Sequence, residues 1–288
     1  MPRLRALGLI FIAYLAAAAA ALLTGYALRG QHPLLVAGLA DLAATAAIFA
    51  FSLSFRNSSF YDAYWSLIPI WIGAYYLALG GPADPARAWL VMAGICLWGI
   101  RLTWNWILNW EGIGHEDWRY GQLKAQSGRW YPLVNFGGIH LFPTVMVYLG
   151  CLPVYGSMVA GSRPLGLLDA VAAAVTAAAV LLETVADQQL RTFRRTNTDP
   201  QAFLNTGLWA LCRHPNYLGE ILFWIGMALF GMAAAPESWW QLAGAAAMIG
   251  LFAGFSIPVM DRRMVQKRPA YAEHMRKVHA LLPWPRRA

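Results

Sequence analysis

Charge is what this 288-residue chain has least of. Only 12% of its residues are charged and 14 are acidic, whereas soluble globular chains carry about 25% charge. With 59% hydrophobic residues, that deficit excludes an ordinary water-soluble fold and places the chain in lipid. Cysteine is scarce too. Cys96, Cys151 and Cys212 are odd in number and far apart, which excludes a disulfide framework and a cysteine metal site; they read as small apolar packing residues. Internal repeats and low-complexity linkers are absent, so residues 1–288 read as one integral membrane domain.

What the chain does have is long apolar runs. A spanning helix needs about 20 mostly apolar residues, and eight stretches approach that: 7–28, 34–55, 63–83, 88–110, 130–162, 165–186, 221–236 and 238–260. They are apolar all round rather than on one face. The expected fold is all-α, a polytopic transmembrane bundle of seven to eight spans. The fifth stretch is broken by Pro132, Pro143 and Pro153. Fourteen Trp and twelve Tyr suit the membrane interfaces.

The 22 Lys and Arg set the orientation. With both termini cytoplasmic, eighteen fall in inside segments and three, Arg29, Arg87 and Arg163, outside; positive charge favours the inside. The net charge of +8 is thereby a topology signal and not a nucleic-acid footprint. The start resembles a secretory signal peptide, but its apolar run exceeds a 7–15-residue h-region, so it reads as an uncleaved first span. The long polar segments 111–129, 187–213 and 261–288 all fall on the cytoplasmic side, where a polar ligand is expected.

Two constellations carry chemistry. Glu183, Asp187, Arg191 and Arg194 or Arg195 recur at spacings of three and four, one face of a helix running from the bilayer to its cytoplasmic edge. An intramembrane acid is costly unless paired or lining a polar cavity, and arginine pairs bidentately with phosphate. A salt-bridged helix end is the bland alternative. The second is Arg213-His214-Pro215-Asn216-Tyr217-Leu218-Gly219-Glu220. Pro215 suits the first turn of a helix, whose amides favour an anion. Asn216 and Glu220 share a face there. The Gly-x-Gly at 112–114 has no preceding strand, so it is no Rossmann loop. His115, Glu116 and Asp117 are adjacent and point apart, so no metal is expected.

The run "TGLWALCRHPNYLGEILFWIGMAL", the preceding "DQQLRTFRR" and the ending "YAEHMRKVHALLPW" resemble the C-terminal domain of the steroid 5α-reductase family, in its bacterial branch of membrane proteins. The resemblance covers roughly the last hundred residues; "SSFYDAYWSLIP" extends it weakly upstream. It implies an NADPH-dependent reductase of the C=C bond in a lipid-like, steroid- or isoprenoid-like enone. Residues 131–288 would hold the cofactor site and 1–130 the substrate side, with the active site open to the cytoplasm of an inner or plasma membrane. Partners would be the bilayer and a small hydrophobic substrate. The residues implied for NADPH are Glu183, Asp187, Arg191, Arg194, Arg213, His214, Asn216, Tyr217, Glu220, Arg263 and Tyr271. An acid on an early helix and a tyrosine on a later one would stabilise the charge on the enone oxygen; the candidates are Asp62, Tyr64 and Tyr120. The alternatives are an S-adenosylmethionine-dependent methyltransferase of the isoprenylcysteine type, which has a similar Arg-His-Pro segment, and a non-catalytic lipid-binding protein.

Overall fold

The computed structural model describes residues 2–283. Met1, Trp284 of the C-terminal motif, and Arg286 and Arg287 of the basic tail lie outside the described residues. The described chain is all-α. Its helices are α1 (Arg3–Ala27), α2 (Pro33–Phe55), α3 (Tyr64–Leu79), α4 (Pro85–Asn109), α5 (Trp118–Ala160), α6 (Leu167–Thr196), α7 (Pro215–Ala234), α8 (Pro236–Lys267) and α9 (Tyr271–Lys277).

Seven of these are long and apolar enough to span a membrane. The exceptions are the short α9 and α3, whose 16 residues rise only about 24 Å, less than the ~30 Å hydrocarbon core. The stretch 63–83 is therefore shorter as a helix than its apolar run suggested, because Gly80 takes a positive φ of 64° and ends it. Large apolar side chains such as Phe11, Leu22, Leu97, Ile100 and Leu181 face outward, as a lipid-facing surface requires.

Helix starts follow local chemistry. Asp84 accepts the Ala86 amide at 2.9 Å ahead of Pro85, and Asp117 accepts the Arg119 amide at 2.8 Å, each satisfying an otherwise free amide. α5 departs from expectation. It begins twelve residues before the anticipated 130, so part of the polar segment 111–129 is helical. Its prolines do not break it. Pro132, Pro143 and Pro153 each open an α-helical stretch, and 135–141 and 156–160 are π-helical. A wider turn absorbs the proline without ending the helix.

The closest helix pair is α6 with α7. Small residues make it possible. A side chain at Gly219 would strike Glu183 and the Ala179 carbonyl, and one at Gly226 would strike Thr176. Between α4 and α7, Trp98 stacks on Phe223 with centroids 4.5 Å apart and meets Trp224 edge-on. α1 pairs with α2, and α3 with α4. At the end of the bundle away from Arg3, Arg87 and Asp169 form a fully buried pair; the guanidinium also donates to the Arg163 and Pro164 carbonyls.

Candidate functional site

α6 has 30 residues and rises about 45 Å, so its last turns emerge beyond the core. Its stripe runs as the spacing predicts, but its upper acids are already engaged. Arg101 of α4 donates to Asp187 at 2.9 Å and to Glu183. Asn105 donates to Asp187 at 3.1 Å and accepts from Arg191 at 3.1 Å. Glu220 of α7 accepts the indole N–H of Trp98 at 3.0 Å and that of Trp224 at 2.9 Å. Glu183 and Glu220 are neighbours, both buried, and Glu183 Oε1 has no hydrogen-bond partner. Two acids thus share Arg101, and Glu220 packs beside them on a floor inside the bundle.

Above this floor lies the mouth. A polar pocket of about 450 Å³ is lined by Arg3, Leu108, Asn109, Trp110, Glu111, Arg191, Arg194 and Arg195. Arg194 and Arg195 are exposed and form no ion pair or hydrogen bond among the described residues. Glu111, the one acid, is itself exposed and sits 3.7 Å from His115. Four cations meeting one solvated carboxylate leave a site that favours a polyanion.

Arg213, His214 and Tyr271 are brought together, but elsewhere. Asp261 of α8 accepts from Arg213 at 2.6 and 3.3 Å, from His214 at 2.9 Å and from the Tyr271 hydroxyl at 3.4 Å. Arg213 also donates to the Val278 carbonyl at 2.5 Å, and the amides of Arg213 and His214 donate to the carbonyls of His279 and Ala280 at 2.9 and 3.0 Å. This buried knot pins the C-terminal segment to the entrance of α7. Burial pushes the Tyr271 hydroxyl up, and the Asp261 carboxylate adds to that. Tyr217 stacks on His214 with centroids 5.3 Å apart. The side chains of Asn216 and Tyr217 form no hydrogen bond among the described residues. The Arg263 guanidinium lies 3.6 Å over the Trp118 ring.

The candidate donors separate into two pairs. Tyr120 donates to Asp62 at 2.6 Å; burial pushes the Asp62 carboxyl above its ordinary range, while the tyrosine bond works against that. Tyr64 is buried apart from them and donates to Asp41 at 3.4 Å. Asp41 is 4% exposed, its Oδ2 has no partner, and it lies on the wall of an apolar cavity of about 540 Å³ between α1, α2 and α3. That cavity is otherwise lined mainly by Ala18, Ala37, Ala44, Ile68, Trp71 and their neighbours. Asp41 is a further candidate that the motif spacing did not single out. Its signal was present, the single charge in the second apolar run, where an unpaired acid marks a functional position.

Residues 48–278 match the family model described as "Protein of unknown function (DUF1295)". The chain belongs to the DUF1295 family. A relative in Schizosaccharomyces pombe, described as "Uncharacterized protein C594.04c", is 30% identical over 253 residues, covering 79% of this chain and 73% of that protein. The match to the DUF1295 model takes in Asp62, the floor acids, the arginines of α6 and the Asp261 knot, and leaves out Arg3 and Asp41. No solved structure matches this DUF1295 chain.

Proposed function

We propose that this DUF1295 protein is a membrane-embedded, NADPH-dependent reductase of a C=C bond in a lipid-like enone, akin to the steroid 5α-reductases that its C-terminal motifs resemble. The observation that carries this is the mouth pocket, lined by Arg3, Arg191, Arg194 and Arg195 with Glu111 as its single acid, while the Asp187 carboxylate below is held by Arg101 and Asn105. The residues present fit the phosphates of a dinucleotide: S-adenosylmethionine has none, and an unneutralised arginine cluster favours the more anionic cofactor. By charge asymmetry this mouth faces the cytoplasm.

When bound, NADPH would supply the hydride. Arg191 and Arg194 would hold its phosphates. Asn105 and Arg101 keep the Asp187 carboxylate in place beneath them. Arg213, His214 and Tyr271 hold the entrance of α7 by pinning the C-terminal segment. Glu183 and Glu220 serve as bundle contacts. On the substrate side, the Tyr120–Asp62 pair would be the donor to the enone oxygen. The apolar α1–α3 cavity lies toward Tyr26, at the end of α1 away from Arg3, and is a separate place for a hydrophobic ligand beside Asp41. Tyr64 holds the Asp41 Oδ1, and Oδ2 is the polar atom left there.

Purified full-length protein in detergent is expected to bind NADPH at least about tenfold more tightly than NADH, a difference of about 1.4 kcal/mol. Tyr120→Phe should abolish enone reduction while leaving NADPH affinity unchanged. Equal affinity for the two dinucleotides, or saturable binding of S-adenosylmethionine instead, would sink the reading.

A further inference from the structure

The mouth pocket has a fourth arginine that the C-terminal motifs do not contain. Arg3 opens α1, 188 positions before Arg191, and its guanidinium donates to the Ile107 carbonyl at the end of α4. That single bond anchors the side chain at the rim and leaves its other N–H groups free. It forms no ion pair among the described residues. Trp110 lines the same pocket, is 5% exposed, and its indole N–H has no acceptor. The pocket is thus rich in donors and poor in acceptors.

Charge separates the anions that could enter. The pyrophosphate linkage of either dinucleotide is a dianion; the 2′-phosphomonoester of NADPH adds about 1.5 to 2 negative charges at neutral pH. Four arginines against one solvated glutamate match the larger total. Bidentate guanidinium contacts add geometry to charge. Arg191 already donates to Asn105, whereas Arg194 and Arg195 form no hydrogen bond among the described residues.

We infer that Arg3, with Arg194 and Arg195, forms a phosphomonoester site whose ligand is the 2′-phosphate of the dinucleotide, so that the first helix determines the choice of NADPH over NADH. This rests on the reductase reading. A lipid such as phosphatidic acid presents the same monoester chemistry from the membrane, and the test separates the two.

The test uses the full chain in neutral detergent micelles, as wild type, Arg3→Gln and Arg5→Gln. Glutamine keeps a donor for the Ile107 carbonyl and removes the charge. Arg5 lies on the same helix outside the pocket and controls for general charge. Affinities for NADPH and NADH are measured by calorimetry, and phosphatidic acid is added in a parallel series. The expected result is that Arg3→Gln lowers NADPH affinity about tenfold with NADH unchanged, and that Arg5→Gln matches wild type. An equal loss for both dinucleotides, or none, would overturn the inference while leaving the reductase reading intact. Displacement of NADPH by phosphatidic acid without any effect of Arg3→Gln on discrimination would overturn the dinucleotide assignment. A wild type that binds neither dinucleotide would sink the reductase reading and this inference together.

Discussion

Replacing Asp261 with alanine isolates the knot that holds the C-terminal segment. In the folded protein its carboxylate accepts from Arg213, His214 and Tyr271, and Arg213 is only 5% exposed. Removing one partner of a buried ion pair costs about 3–5 kcal/mol, because the other charge is left uncompensated. The lower end applies here: Arg213 would still donate to the Val278 carbonyl at 2.5 Å. A local loss of about 3 kcal/mol corresponds to about a hundredfold rise in the opening equilibrium. Two amides report it directly, those of Arg213 and His214, which bond the carbonyls of His279 and Ala280. Hydrogen exchange of the full-length protein in detergent, followed on peptides covering 212–218, should accelerate by about that factor in Asp261→Ala. Asp261→Asn keeps one acceptor and should give a smaller rise. Exchange in α1 and α2 should not change. Unaltered exchange at 212–218, or an acceleration spread evenly over every helix, would refute the local latch.

Arg87→Met should cost about 3–5 kcal/mol by stranding Asp169, read as a lowered melting temperature in detergent. Adding Asp169→Leu should recover most of it, less about 1 kcal/mol because Asp169 also accepts the Gly166 amide at 2.9 Å. Asp62 makes a pH prediction. Burial raises its folded pKa above the unfolded value, so the folded protein holds that proton longer. Its contribution is present below the ordinary carboxylate range and is lost as pH rises through the raised value. Melting temperature should fall over that window, and Asp62→Asn should flatten the fall; parallel pH curves for the two proteins would show that Asp62 is not the group responsible.

Spans were legible because apolar length reports lipid directly, and the Glu183–Asp187–Arg191 face because a spacing of four is a helical property. Their partner was not legible: Arg101 lies 82 and 86 positions from Glu183 and Asp187 in sequence, and nothing local ties it to them. The partner of Arg213 and His214 was not legible for a related reason. Beside a proline-led helix start they suit an anion, and the anion the structure supplies is Asp261, 48 and 47 positions on. The prolines of α5 misled differently, since the rule that proline ends a helix assumes that the backbone cannot widen into a π turn. Asp41 stood in plain view as a lone charge; only the apolar cavity beside it assigned it a use.

The pocket between Arg3 and the end of α6 has a consequence for how the protein is made. Its walls come from α1 and from a segment synthesised 188 residues later, and the entrance of α7 is tied down by residues later still. No partially inserted chain can present all four arginines together. Ligand capture would therefore mark the completion of assembly, and a cell short of ligand would be left with finished but unfilled copies that a protease could tell apart from loaded ones.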